Sequence, residues 1–265
     1  MNQPTLKIAL IGTGNVAWHL ARAFENVGHI ITDVYSRKKH NAISFCKSLY
    51  RANPTDTLDF SDSTAEIFIM AVSDDAIEIL AQNLQLPPNA ILAHTSGTAE
   101  LSQLGYSNTE NTGVFYPLQT FSKNKKVSVD HVLFCIEGSN NYTTDQLTVL
   151  AKSISSNVQL IDSEKRRSIH LAAVFACNFT NHMFSLSKGI MNQQGIDFEL
   201  LKPLISETLN KSLEVGPENA QTGPAKRNDL ETLDKQYKAL EKAPEVAELY
   251  RLISQNIIDY YSEKP

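Results

Sequence analysis

The sequence predicts an α/β fold, with a doubly wound, mostly parallel sheet in the N-terminal part and an all-helical C-terminal region. Three observations lead to this prediction. A glycine-rich turn follows the first apolar strand, short apolar runs alternate with helical patterns as far as Ile161, and only helical patterns follow. We therefore place the domain boundary near Asp162, which divides the chain into residues 1–161 and residues 162–265.

The first half alternates between strands and helices. Its predicted strands are Lys7–Ile11, Ile30–Tyr35, a weak one at Arg51–Pro54, Glu66–Val72, Ala90–His94, Thr112–Phe115, Val132–Glu137 and Val158–Ile161. The helical patterns between them are Asn15–Val27, Lys39–Leu49, Asp75–Leu84 and Thr144–Ile154. This alternation is typical of a parallel sheet covered by helices.

Helical patterns alone make up the second half. They cover Ser163–Gln194, Asp197–Val215 with an interruption near Pro203, Asp229–Glu241 and Ala243–Tyr261. Asp162 or Ser163 can cap the first of these helices and Asp229 the third, because a short polar side chain accepts hydrogen bonds from the free N–H groups at a helix start.

The composition is that of an ordinary globular protein, with 42% hydrophobic and 20% charged residues. A net charge of −5 gives no reason to expect nucleic acid or an anionic membrane as a partner. The longest apolar run, Ile67–Val72, is too short to span a bilayer, and the N-terminus has no signal-peptide pattern. Cys46, Cys135 and Cys177 lack metal-ligand spacing, so we expect reduced core thiols, no metal and a cytoplasmic protein.

The glycine-rich turn has the pattern G-x-G-x-x-A and lies between a strand and a helix. Gly12 permits the tight turn, Gly14 lets the backbone approach a pyrophosphate, and Ala17 lets the helix pack closely on the strand. The N–H groups and the dipole of the helix start also favour phosphate. The predicted cofactor contacts here are Gly12, Thr13, Gly14, Asn15 and Val16. The alternative is a tight turn that binds no nucleotide.

The end of the second strand predicts which dinucleotide binds. NAD needs a carboxylate there for its ribose hydroxyls, whereas the 2′-phosphate of NADP needs donors and positive charge. Ser36 and Arg37 suit a phosphate, and strand alternation turns Asp33 to the opposite face. We therefore expect NADP rather than NAD. The alternative is that Arg37, Lys38 and Lys39 form a solvated charge run at a helix start.

Further contacts are predicted at the next strand ends, since ligands of open α/β sheets bind beyond the carboxyl ends of the strands. The backbone of Val72 and Ser73 is expected to line the cofactor, as is His94. The aspartates that follow Ser73, Asp74 and Asp75, could serve only as a helix cap.

The substrate is expected beside these contacts. Ser96, with Thr95 and Gly97 around it, suits hydrogen bonding to a substrate carboxylate or carbonyl, and the alternative is a plain strand-to-helix turn. Tyr116 and Gln119 flank a proline and would form a fixed pocket wall, or else an aromatic plug at the sheet edge.

The long helical pattern after Ser163 carries one polar stripe. The stripe comprises Arg167, His170, Val174, Asn178, Asn181 and Ser185. Because the other sides are apolar, we expect a buried helix whose polar side chains need partners. His170 is the candidate proton donor or acceptor, with Asn178 and Asn181 orienting it. The alternative is a buried histidine satisfied by a backbone carbonyl.

Two arginines complete the candidate site. Arg166 flanks the polar stripe and is assigned to the substrate pocket. Arg227 lies in the segment Thr222–Asp229 and could reach a carboxylate or the cofactor phosphate. A well-capped loop between two helices is the alternative for this segment.

In their order along the chain, these motifs resemble bacterial Rossmann-like proteins with a C-terminal helical domain of unknown function. Those proteins are similar to pyrroline-5-carboxylate reductase, the 6-phosphogluconate dehydrogenase superfamily and the deazaflavin-dependent NADP oxidoreductases. The most specific pieces are His94–Gly97, Tyr116–Thr120 and His170–Val174 with Asn178. The resemblance implies an NADP-binding domain followed by a helical domain for substrate binding and dimerisation.

The chain departs from the expected patterns at two places. Asn228 stands where the segment Gly-Pro-x-x-Arg-x-Asp is expected to carry glycine. The catalytic lysine and asparagine of the β-hydroxyacid dehydrogenases have no match, because Lys188 lacks the expected neighbours. We therefore do not assign 3-hydroxy-acid chemistry.

Together these observations predict an NADP-dependent oxidoreductase that transfers a hydride to or from a small carbonyl, imine or alcohol. We expect a homodimer formed through the long helix. The main alternative is a non-enzymatic NADP(H)-binding sensor or scaffold, and a weaker one is a transferase or cyclase that uses the same fold without redox change.

Overall fold

A computed structural model of the protein describes residues 4–262. By its internal contacts the chain divides into two compact units, Met1–Cys177 and Asn178–Pro265. The boundary that we predict near Asp162 coincides with the start of a helix. The division between the two units lies further along the sequence, after Cys177, because Arg166 and Ile169 of that helix pack against the sheet. The boundary between functional domains stays a prediction.

The first unit is built on an eight-stranded sheet. Its strands are β1 (Lys7–Ile11), β2 (Ile30–Tyr35), β3 (Asn53–Thr55), β4 (Ile67–Met70), β5 (Ile91–His94), β6 (Thr112–Leu118), β7 (Leu133–Gly138) and β8 (Val158–Leu160). They lie in the order β3-β2-β1-β4-β5-β6-β7-β8, and all neighbours are parallel except β6 and β7. The mostly parallel sheet that we predict is therefore confirmed.

Helices cover both faces of this sheet. They are α1 (Asn15–Asn26), α2 (Lys39–Cys46), α3 (Asp74–Asn83), α4 (Asn141–Ile154) and α5 (Ser163–Ala173). One core cluster includes Phe24 of α1 and Leu147 of α4, and a second includes Ile77 of α3. The chain reverses its direction of travel across the sheet between β1 and β4, and at such a point the carboxyl ends of the strands leave a crevice for a ligand.

The second unit is helical. Its helices are α6 (Thr180–Gln193), α7 (Lys202–Val215), α8 (Pro217–Ala220), α9 (Leu230–Ala239) and α10 (Pro244–Ser262), and a 3₁₀ turn covers Phe198–Leu201. The interruption that we predict near Pro203 is the start of α7. Proline is tolerated in the first turn of a helix, because the backbone N–H groups there have no partner within the helix and none is lost. Asp162 and Asp229 cap α5 and α9 as predicted.

The long helical pattern differs from the prediction in two respects. A π-helical segment, Val174–Phe179, separates α5 from α6. Within this single chain the helix is not buried, because Leu171 is 59% exposed and Phe175 is 63% exposed. Its burial by a partner subunit stays a prediction.

The cysteines and the helix lengths bear on two other expectations. All three cysteines are free, and Cys135 is buried and Cys46 half-buried, but Cys177 is exposed and is not the core thiol that we expect. Between residues 4 and 262, no helix combines the length and the apolar character that a membrane crossing requires.

Candidate functional site

The glycine-rich turn has the geometry that its sequence predicts. Gly12 has a φ of +114°, which favours glycine, and its N–H donates to the carbonyl oxygen of Tyr35 at 2.9 Å. A Cβ added there would overlap the carbonyl oxygen of Ala71. A Cβ added at Gly14 would meet only that oxygen among the described atoms, at 3.9 Å. The backbone at Gly14 is therefore open to close approach by a ligand.

A cleft of about 1140 Å³ lies at the carboxyl ends of the strands, over this turn. It brings together most of the predicted site residues, although they come from six separate parts of the chain. Its lining includes Gly12, Thr13, Gly14, Asn15, Val16, Ser36, Arg37, Val72, Ser73, Thr95, Ser96, Gly97, Tyr116 and His170. This is the place at which an open α/β sheet binds its ligand.

The β2 end of the cleft is rich in donors. Arg37 and Lys38 line it, whereas Lys39 lies against Asp56 in an ion pair of 3.4 Å. Asp33, the carboxylate that we predict to face away, accepts hydrogen bonds from Ser63 at 2.7 Å and Asn53 at 3.3 Å. The acidic residue of β2 is thus already engaged, and the cleft meets positive charge at this end.

A hydrogen-bonded pair of titratable side chains lies at the other end of the cleft. Tyr116 Oη, from β6, is 2.8 Å from His170 Nδ1, from α5. Burial raises the pKa of Tyr116 to about 12, so its hydroxyl keeps its proton at neutral pH. Which of the two atoms donates in this hydrogen bond depends on the tautomer of the imidazole. His170 is half-buried, and its partner is a tyrosine rather than the backbone carbonyl of the alternative interpretation.

Because Gly97 has no side chain, the Tyr116–His170 pair can pack directly against its backbone. A Cβ added at Gly97 would lie 2.5 Å from His170 Nδ1 and 2.9 Å from Tyr116 Cζ, both closer than real Cβ contacts. The strand end that we assign to the substrate therefore packs directly on the Tyr116–His170 pair.

The hydroxyl groups around Gly97 are held by the loop itself. Ser96 Oγ accepts hydrogen bonds from the N–H groups of Thr98 at 3.0 Å and Ala99 at 2.9 Å. The Thr98 hydroxyl donates to the carboxylate of Asp74 at the start of α3. Ser96 therefore makes the hydrogen bonds of a capped turn, as the alternative interpretation has it, and its contact with a substrate stays a prediction. Thr98 and Asp74 line the cleft but were not among the predicted site residues.

His94 lies behind the loop and not in the cleft lining. It is fully buried, and its Nδ1 accepts from the Ser96 N–H at 3.2 Å. Burial above all, and the nearby Arg166 guanidinium, lower the pKa of His94 to about 4. A neutral His94 therefore shapes the loop, and its predicted contact with the cofactor stays a prediction.

Arg166 is also placed behind the cleft lining. It is fully buried and donates to the Glu137 carboxylate at 2.6 Å, to Ser163 Oγ at 3.1 Å and to the carbonyl oxygen of Ala99. These contacts hold α5 on β7 and on the loop after β5. Both terminal nitrogens of the guanidinium thus have internal partners, and the substrate-binding role that we assign to Arg166 from the sequence stays a prediction.

The remaining predicted residues lie elsewhere. Gln119 is exposed, and its side-chain oxygen accepts from the Thr120 N–H at 2.8 Å. Asn178, Asn181 and Arg227 belong to the second unit and are exposed, and their roles stay predictions. Asn228 has a φ of +54°, a conformation that asparagine and glycine tolerate, which explains how it replaces the expected glycine.

Comparison with known proteins gives two family matches. A model described as a Rossmann-like domain matches residues 1–112, and a model described as a domain of unknown function (DUF2520) matches residues 132–257. No curated protein matches the chain.

Solved structures are similar over nearly the whole chain. A Bacteroides fragilis protein provisionally named an NADP oxidoreductase is 36% identical, with 96% of this chain and 98% of that chain covered and a TM-score of 0.89. A reductive aminase from Aspergillus terreus in complex with NADPH and ethyl-5-oxohexanoate is 14% identical, with coverage of 97% and 95% and a TM-score of 0.71. A pyrroline-5-carboxylate reductase from Coxiella burnetii is 14% identical, with coverage of 98% of each chain and a TM-score of 0.57. The last two show the fold alone.

Proposed function

The chain belongs to the family of Rossmann-like proteins that carry a C-terminal DUF2520 domain, and we propose that it is an NADP-dependent oxidoreductase acting on a small carbonyl, imine or alcohol. One observation carries the proposal: a single cleft joins the glycine-rich turn to the Tyr116–His170 pair. The similarity to the Bacteroides fragilis protein supports it.

In this proposal each end of the cleft has its own task. The turn at Gly12–Gly14 and the start of α1 hold the diphosphate, and Ser36 with Arg37 holds the 2′-phosphate. When bound, the nicotinamide supplies hydride transfer. The Tyr116 hydroxyl keeps its proton and holds His170 by a hydrogen bond at Nδ1, so Nε2 is the ring nitrogen left to exchange a proton. His170 then exchanges the Nε2 proton with the substrate oxygen or nitrogen.

The first test compares the two dinucleotides. We expect NADPH to bind about tenfold or more tightly than NADH, because charged donors at Arg37 and Lys38 gain a phosphate partner only in NADPH. Calorimetric titration of both cofactors measures this difference. Tighter binding of NADH would overturn the NADP assignment, and Arg37→Met, which removes one donor, should narrow the preference.

An activity assay of the wild-type protein distinguishes the proposed enzyme from the non-enzymatic sensor or scaffold. A panel of small ketones, aldehydes and cyclic imines, each assayed for NADPH oxidation, should contain at least one substrate. Tight NADPH binding without turnover of any of them would favour the non-enzymatic alternative.

A homodimer is also part of the proposal. Apolar side chains remain exposed on the long helix through which we expect the dimer, with Leu171 59% and Ile190 44% exposed, and such a surface supports an interface there. Light scattering after gel filtration should give twice the mass of one chain, and Leu171→Glu with Ile190→Glu should shift the protein to the monomer. A monomeric wild-type protein would contradict the proposal. A cytoplasmic location stays a prediction.

A further inference from the structure

A lysine from the connection between β6 and β7 reaches the glycine-rich turn. Lys123 Nζ donates a hydrogen bond to the carbonyl oxygen of Thr13 at 2.8 Å, across 110 residues of sequence. This partner is a neutral carbonyl, so the contact itself does not neutralise the positive charge. An ammonium group has three N–H donors, and the contact with Thr13 uses one of them.

The backbone next to Lys123 is held on α1, the helix that begins at the same turn. His19 Nε2 donates to the carbonyl oxygen of Ser122 at 3.0 Å, and the His19 ring stacks on Phe121 with the ring centroids 4.7 Å apart. His19 is buried, and Phe121 packs against the main core cluster. The location of Lys123 over the turn therefore follows from an anchored segment and not only from the reach of a long side chain.

From these contacts we infer that Lys123 binds the diphosphate of the dinucleotide. The inference rests on the proposed function, since the diphosphate is part of that cofactor. The turn offers backbone N–H groups and the partial charge of the α1 start, and Lys123 adds a full positive charge beside them. An anion over Thr13 would meet donors from the turn and from the segment that follows β6.

The experiment compares Lys123→Met with Lys125→Met, which removes the same charge from an exposed position two residues further along the same segment. Calorimetry measures the affinity of each variant for NADPH and for adenosine 2′-monophosphate, which lacks the diphosphate. We expect Lys123→Met to lower NADPH affinity about tenfold, because one charge-assisted contact is lost. The affinity for adenosine 2′-monophosphate should change less than about twofold, because this ligand has no diphosphate. Lys123→Arg should restore most of the affinity.

Unchanged NADPH affinity in Lys123→Met overturns the assignment of Lys123 and leaves the proposed function intact. An equal loss in Lys125→Met also overturns it, because the effect is then one of net charge. A wild-type chain that binds neither NADPH nor NADH overturns the proposed function and the assignment together.

Discussion

Replacing His170 with asparagine is expected to lower kcat by about a hundredfold or more and to leave the affinity for NADPH within about twofold. Asparagine keeps a polar group near the Tyr116 hydroxyl, which lies 2.8 Å from His170 Nδ1, but it cannot exchange a proton near neutral pH. Steady-state turnover and calorimetric titration measure the two quantities separately. They are measured with whichever substrate the panel yields.

His131→Asn is the control, since His131 is exposed and its Nδ1 lies 3.1 Å from Ser156 Oγ, away from the cleft. Gly97→Ala should also lower kcat, because the added Cβ displaces the His170 imidazole. If His170→Asn turns over as fast as the wild-type protein, His170 has no part in the proton transfer.

Replacing Gly12 with alanine is expected to abolish measurable NADPH binding and to lower the free energy of unfolding by roughly 3 kcal/mol. The φ of +114° disfavours any side chain, and the new Cβ overlaps the carbonyl oxygen of Ala71 as well. The turn must open to relieve this overlap, and the backbone N–H groups that hold the diphosphate move with it. Denaturant unfolding and calorimetric titration measure the two effects.

Gly28→Ala separates backbone strain from steric overlap. Gly28 has a φ of +91°, but an added Cβ would meet no atom within 4 Å. This variant should therefore lose only about 1 kcal/mol of stability and keep NADPH binding. Equal behaviour of the Gly12 and Gly28 variants would show that the overlap with Ala71 has no role.

Local pattern predicted the strands well, and the differences have physical reasons. The prediction ends the sixth strand at Phe115, yet β6 continues through Pro117 to Leu118. Pro117 pairs with Phe134 of β7, whereas the pairing with β5 ends at Val114. A proline is tolerated there because no β5 carbonyl needs its missing N–H.

The candidate site was only partly accessible to sequence reasoning. The glycine turn and the residues at the strand ends follow from local motifs, and the cleft brings them together. The partners of buried polar side chains depend on distant contacts. Arg166 is paired with Glu137, which precedes it by 29 residues, and nothing in the local pattern distinguishes it from a ligand-binding arginine. The Tyr116–His170 contact spans 54 residues and was missed for the same reason.

The reversed direction of β7 has a consequence for how the binding edge is built. Because β6 and β7 are antiparallel and Leu118 faces Leu133, the connection between them starts and finishes at the carboxyl edge of the sheet. A right-handed crossover to a parallel strand would have carried the chain to the opposite edge. One inverted strand therefore places a whole connecting segment beside the glycine-rich turn, where Lys123 contacts Thr13. Because both ends of the segment lie at the same edge, its length can change without altering the register of the parallel strands.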